Sequence, residues 1–338
     1  MWLMRLSVLM SVYNNAPFVE RAVASILDQT YRDFEFIIVN DGSTDGSTEI
    51  LRRLAATDPR IRLVEQENRG LVASLNRGFA MAHSDWIARM DGDDESLPHR
   101  FATQLEFLDR HPDHGVIGTQ MVNVDEQGRT IRLTNDYPRD ATTFLAAMEL
   151  LPLMSHPSAI IAKAAFEKVG GYRKIYRHCE DYDLWLRLSE VTKLCSVDEI
   201  LYRYCVNPQQ VTFQHLLHTA IGAAVAWQAH LQRSSGRPDP TEGLSALPDV
   251  DHLDELDRIF GMPGIARKVR ARVAPKLLYS LPALTSGGAR LIGDYVAEGG
   301  DRRPATRAVA RMLRYGQIRG AGQLAGNLAR SYFAPRGK

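Results

Sequence analysis

Hydrophobic positions alternate between short unbroken runs and helically spaced sets over the first hundred residues. Leu6 to Val12 is an apolar run without period-two alternation, as expected of a strand covered on both faces. The turn Asn14-Asn15-Ala16-Pro17 follows it. Pro17 then stands near the first turn of a helix with Phe18, Ala22, Val23, Ile26 and Leu27 on one face. Phe34 to Val39 predicts a second strand, Ser47 to Ala56 a helix, and Ile61 to Val64 a third strand. A helix carrying Leu71, Leu75, Phe79 and Ala82 comes next, then a fourth strand over Trp86 to Met90. Such βα alternation predicts a mainly parallel sheet with helices on both faces.

Beyond residue 95 the periodicity loosens. A helix is expected over Pro98 to Leu108, one or two strands over Gly115 to Val124, and a helix near Thr142 to Leu150. His156-Pro157-Ser158 leads into a strand ending at Ile161, and a short helix from Lys163 to Val169 is stopped by Gly170-Gly171. Glu180-Asp181-Tyr182-Asp183 opens an amphipathic helix bearing Leu184, Trp185 and Leu188. From Phe213 the pattern is helical, broken by a Ser/Gly/Pro-rich stretch from Ser234 to Thr241.

At 338 residues, with 45% hydrophobic and 24% charged positions, the chain has the composition of a soluble globular protein of one or two domains. The opening Met1 to Val12 lacks a basic region and a small-residue cleavage site, so it reads as strand rather than leader. No run approaches the roughly 18 apolar residues of a membrane span. Three cysteines, Cys179, Cys195 and Cys205, lack metal-ligand spacing and fit a reducing compartment. Charge is unevenly placed: Gly264 to Lys338 holds fifteen Lys and Arg against three Asp and Glu, a balance of +12, which leaves −11 on residues 1–263 of a chain whose net charge is +1.

The chemistry concentrates in Asp91-Gly92-Asp93-Asp94, at the C-terminal end of the fourth strand, where open α/β sheets bind ligands. Asp91 and Asp93 can offer oxygens to one hard divalent cation and to a sugar hydroxyl, an arrangement suited to a metal-bridged diphosphate. An EF-hand is excluded, because its sixth and twelfth positions would be Ser96 and Ala102. No Gly-rich loop follows the first strand, which disfavours a nucleotidyltransferase and a dinucleotide oxidoreductase.

Four elements in order resemble the family 2 glycosyltransferases with a GT-A fold: Ser11-Val12-Tyr13-Asn14, Val39 to Asp45, Met90 to Asp94 with Pro98 downstream, and Glu180 to Trp185. The resemblance covers about residues 5–212. It implies a Rossmann-like GT-A domain over 1–212, with a nucleotide-binding half near 1–95 and an acceptor and catalytic half near 96–212, followed by a helical, basic region over 213–338. It further implies a metal-dependent, inverting, single-addition transfer of a sugar from a nucleotide diphosphate, UDP by expectation, to a hydroxyl acceptor in cell-surface polysaccharide or glycolipid synthesis. The Q-x-x-R-W signature of processive synthases is missing after Trp185.

By the same resemblance, Asp41 meets the nucleobase, although Asn40 stands where the family often has a first aspartate. Asp91 meets the ribose or the metal, and Asp93 ligates Mg2+ or Mn2+. Asp181 is the base, with Glu180 beside it to raise its pKa. Asn68, Arg69 and Asn76 flank the third helix within reach of the nucleotide or its phosphates, and His156 and Trp185 fall on the acceptor side. The basic C-terminal region suits an anionic membrane surface, which places the enzyme in the cytoplasm or on the inner face of the membrane beside a lipid-linked acceptor. No nucleic-acid motif accompanies it. The competing expectation is a non-catalytic, glycosyltransferase-like subunit that binds nucleotide or scaffolds a complex through the same basic segment.

Overall fold

The computed structural model describes residues 4–149, 153–206 and 215–333. It divides into two compact units, residues 1–174 with 184–207, and residues 175–183 with 208–338. The expected division at residue 212 lies outside the described residues. The units also depart from a simple cut in sequence, because residues 175–183 belong with the helical unit.

In the first unit, β1 (Leu6–Val12), β2 (Phe34–Asp41), β3 (Ile61–Gln66) and β4 (Trp86–Asp91) lie in the order β3-β2-β1-β4, all parallel. Every residue of β1 and β2 is buried, which is why their sequence shows no alternation. Edge strand β3 is only partly covered, burying Ile61 and Val64 and exposing Arg62 and Glu65. Helices α1 (Val19–Leu27), α2 (Ser47–Thr57) and α3 (Leu71–Met81) make the connections. The buried face of α1 is Val19, Ala22, Val23 and Ile26. In α3 the buried face is Ser74, Leu75, Gly78 and Phe79, while Leu71, expected on it, is 41% exposed because it occupies the helix's first position. In register, Ser11 pairs with both Val39 and Asp91, so the ends of β1, β2 and β4 are level. The neighbours of β1 lie on opposite sides, which opens a crevice at that edge.

Beyond β4 the sheet becomes mixed. β5 (Glu95–Ser96), α4 (Arg100–Arg110), β6 (His114–Val124), β7 (Thr130–Thr134), α5 (Ala141–Ala147), β8 (Ile160–Ala162), α6 (Lys163–Lys168), α7 (Glu180–Leu188) and β9 (Lys193–Cys205) follow in the chain. β8 is antiparallel to both β4 and β6, and β9 runs parallel to β6 with three register shifts. The short helix expected up to Leu150 ends at Ala147, and Leu150 itself is outside the described residues.

The second unit is helical: α8 (Leu216–Ser234), α9 (Glu255–Ile259), α10 (Ile265–Val273), α11 (Ala289–Ala297), α12 (Arg303–Arg314) and α13 (Ile318–Phe333). Its link to residues 175–183 is close packing. A Cβ at Gly222 of α8 would sit 2.5 Å from Cys179 Sγ, and Arg272 of α10 donates to Tyr182 Oη at 3.0 Å.

Candidate active site

Asp91, Asp93 and Asp94 converge at the C-terminal end of β4, each offering an oxygen within 4.8 Å of the others. Gly92 lets the turn close, since a Cβ there would meet Val12 Cγ2 at 3.3 Å and the Asn15 amide at 3.4 Å. Asp91 and Asp93 are half-buried and Asp94 is buried. An all-carboxylate oxygen set fits a hard divalent cation such as Mg2+ or Mn2+.

The groups beneath this cluster are buried and charged. Arg89, 1% exposed, donates to Asp91 Oδ1 at 2.6 Å and to the Met90 carbonyl. Burial opposes its charge, but Asp91 together with Tyr172 and Tyr202 outweighs that, and the guanidinium pKa lies above its ordinary value. Arg100, also fully buried, donates to the Arg89 carbonyl at 2.7 Å and lies 5.3 Å over the Tyr202 ring. Burial lowers its pKa to about 10. Asp94 accepts from Tyr202 Oη at 2.9 Å and from the Cys205 amide at 2.8 Å. Burial, then the charges of Asp93 and Asp91, push the Asp94 carboxyl well above the usual range. Crowded carboxylates of this kind are what a divalent cation neutralises. Arg89, Asp94, Arg100 and Tyr202 were not expected site residues; the available signals were two arginines in or beside apolar runs and a third acid in the same tetrad.

Asp41 closes β2 and is 2% exposed. Its oxygens accept from Gln66 Nε2 at 2.6 Å, the Arg69 amide at 2.9 Å and the Gly70 amide at 2.8 Å, so it fixes the turn that opens α3. Gly42 is required beside it: φ is +75°, and a Cβ would lie 2.8 Å from the Asn68 amide nitrogen. Across the crevice, Asn14 Oδ1 accepts from the Thr44 amide at 2.8 Å, and Asp45 binds the Ala16 and Ser47 amides at 2.9 and 3.0 Å. The loops after β1 and β2 are thus locked together. The side chains of Asn68 and Arg69 are exposed on this rim.

Other expected residues have different surroundings. Asn76 uses both amide atoms on Tyr172, donating to its carbonyl at 2.9 Å and accepting from its amide at 3.0 Å, and so clamps that segment. Trp185 is 1% exposed, a core position, and edge-on to His156 with ring centroids 5.8 Å apart. His156 Nε2 lies 2.7 Å from Tyr172 Oη, and burial, then Arg89, hold the imidazole pKa well below its ordinary value. Glu180 and Asp181 begin α7 within the helical unit, Glu180 8% exposed and Asp181 half-buried. A half-open cavity of about 330 Å³, lined by Phe107, Arg110, Arg139 and Asp198 among others, contains none of these residues.

The chain resembles known proteins in sequence and in fold. Residues 7–170 match the family described as glycosyl transferase family 2. EpsE of Bacillus subtilis, named as a glycosyltransferase, is 33% identical over 231 residues, 67% of this chain and 81% of that protein. A chondroitin synthase of Pasteurella multocida is 26% identical over 282 residues, which are 81% of this chain and only 29% of the synthase. Among solved structures, S. aureus TarS 1–349 in complex with UDP-GlcNAc superposes with a TM-score of 0.59 at 15% identity, covering 97% of this chain and 92% of that one. The mannosyltransferase PcManGT of Pyrobaculum calidifontis, in complex with GDP-Man and Mn2+, gives 0.52 at 18% identity, covering 97% and 86%.

Proposed function

The chain belongs to glycosyl transferase family 2 and has the GT-A fold, and from that membership we propose a metal-dependent, inverting, single-addition transfer of a hexose from a nucleotide diphosphate to a hydroxyl acceptor. The observation that carries the reading is the meeting of Asp91, Asp93 and Asp94 at the end of β4, at the same sheet edge as Asp41. UDP is the proposed nucleotide. Asp41 has one of four carboxylate lone-pair sites left for a base N–H after three protein donors. The exposed Asn68 and Arg69 side chains stand on the rim beside it for the base or the phosphates.

Asp93 and Asp91 would hold the cation, which when bound neutralises charge developing on the leaving diphosphate. Arg89 holds one oxygen of the Asp91 carboxylate at 2.6 Å, which leaves the other oxygen for the cation. Asp181, assisted by Glu180, removes the proton of the acceptor hydroxyl as that oxygen attacks the anomeric carbon, and a single displacement inverts the configuration. The acceptor is a sugar or lipid-linked hydroxyl in polysaccharide or glycolipid synthesis. We place the enzyme at the inner face of the membrane, in contact through its basic C-terminal region. Irregular segments between Val116 and Tyr172, of which 150–152 lie outside the described residues, are the proposed source of acceptor specificity.

Calorimetric titration with UDP, with and without Mn2+, on wild type and Asp93→Ala tests this. Expected are Mn2+-dependent binding by wild type and its loss in a variant that melts like wild type. Binding indifferent to both cation and Asp93 would overturn the metal assignment. Silence with UDP, GDP and TDP alike would favour a non-catalytic scaffold.

A further inference from the structure

The turn joining α12 to α13 leaves a run of seven consecutive exposed residues, Leu313 to Arg319. Three of them are large and apolar, Leu313 at 54%, Tyr315 at 49% and Ile318 at 71% exposed. The turn is built to project them. Gly316 takes φ of +74°, its amide donates to the Leu313 carbonyl at 3.1 Å, and the Gln317 amide donates to the Met312 carbonyl at 2.8 Å, while Met312 itself is buried. The Tyr315 ring is flanked by two guanidinium groups, Arg311 at 5.5 Å and Arg314 at 6.0 Å.

Single exposed apolar residues are ordinary, but this tip combines three of them with a one-sided charge. Residues 302–338 contain nine Arg and Lys and no Asp or Glu. Among the described residues no helix is long and apolar enough to cross a membrane. Exposed aliphatic side chains next to a tyrosine flanked by two guanidinium groups match the layering of an anionic bilayer surface: aliphatic groups below the headgroups, tyrosine at their level, arginine on the phosphates.

We infer that the α12–α13 turn is a membrane-docking tip that inserts Leu313, Tyr315 and Ile318 between anionic lipid headgroups, with Arg311, Arg314 and Arg319 on the phosphates. It deepens the acceptor half of the proposed function, because a lipid-linked hydroxyl is met at that surface. The docking itself needs no catalysis.

Cosedimentation of the full chain with phosphatidylcholine vesicles, with and without phosphatidylglycerol, tests the proposal. Wild type is expected to bind only the anionic vesicles and to be released by salt. Arg314→Glu with Arg319→Glu should lower the partition coefficient by about thirtyfold or more, about fivefold for each cation lost. Leu313→Ser with Ile318→Ser should lower it by at least about tenfold with melting unchanged, because both side chains are exposed. Equal binding of neutral and anionic vesicles, or variants that bind like wild type, would overturn the tip. So would concentration-dependent self-association that disappears in the Leu313/Ile318 variant, which would make the turn an interface between copies. UDP titration of the same variants keeps the two readings apart: lost vesicle binding with intact nucleotide binding supports the tip whatever the acceptor is, and lost nucleotide binding in wild type refutes the donor site alone.

Discussion

Replacing Tyr202 with Phe removes one hydroxyl from beneath the acidic cluster and little else. The ring is fully buried, and its contact with Arg100, 5.3 Å above it, does not depend on the oxygen. What disappears is chiefly the 2.9 Å bond to Asp94 Oδ2, one of the two donors that Asp94 has among the hydrogen bonds described above, and with it the longer 3.5 Å bond that the hydroxyl accepts from the Asp91 amide and its 3.4 Å contact with Met90 Sδ. A hydrogen bond to a charged group contributes about 1.5–3 kcal/mol net, and in a unit of this size each kcal/mol shifts Tm by about 2–4 °C. Tyr202→Phe should therefore lower the melting temperature of the metal-free protein by about 3–12 °C at alkaline pH. The pH dependence has a definite sign. The folded pKa of Asp94 is raised, by burial and then by Asp93 and Asp91, so its favourable contribution is complete below the ordinary carboxyl value and is lost as pH rises towards the folded pKa. The Tyr202 hydroxyl bonds the anion and limits that loss. Without it the folded pKa climbs further, and the deficit of the variant opens above the wild type's folded value. Below the folded pKa, where Asp94 is protonated, the deficit should shrink to the roughly 0.5–1.5 kcal/mol of a neutral pair. Scanning calorimetry in EDTA across that range is the assay. A deficit below about 0.5 kcal/mol, or one that does not change with pH, would refute the reasoning that Asp94 is a buried anion anchored by Tyr202.

Two further substitutions separate architecture from chemistry. Asn76→Ala should destabilise the first unit by about 1–3 kcal/mol, because the Tyr172 amide and carbonyl both lose their partner, while the affinity for UDP stays unchanged; weaker UDP binding at unaltered Tm would instead make Asn76 a nucleotide contact. Asp181→Asn should lower kcat by about 10²–10⁴-fold with UDP affinity retained, measured as sugar transfer at saturating donor, and turnover equal to wild type would remove Asp181 from the base role.

The parallel half of the fold was legible because its physics is local. β1 and β2 are buried on both faces and read as unbroken apolar runs, and each intervening helix has a stripe that faces the sheet. The second half was legible only in pieces. β9 is the longest strand, yet Asp198-Glu199 interrupts its apolar residues and its pairing with β6 shifts register three times, so no window shows a clean period. β7 exposes four of its five residues and gains its place from pairing alone. Likewise, nothing near Cys179 says that residues 175–183 pack with distant helices; that depends on Gly222, 43 positions along the chain, having no side chain to exclude the thiol.

The same distinction explains how much of the candidate site could be read. Its acids are contiguous, from Asp91 to Asp94, and a tetrad at a strand's end is visible in any window. The groups that make such a cluster tolerable are not contiguous. A buried carboxylate needs donors and opposite charge, and here they arrive from Arg89 within the strand, Arg100 on the next helix, and Tyr202 and the Cys205 amide more than a hundred residues away. Arg89 and Arg100 could have been questioned from sequence, since an arginine inside an apolar strand or on a helix face bound for the core must find a partner or stay out of it. Tyr202 gave no such sign, because a tyrosine in a strand is unremarkable until its hydroxyl is seen on Asp94. The acidic motif of this chain is therefore local and its electrostatic support is non-local, and a substitution in the support, such as Tyr202→Phe, tests the candidate site while every residue of the motif keeps its identity.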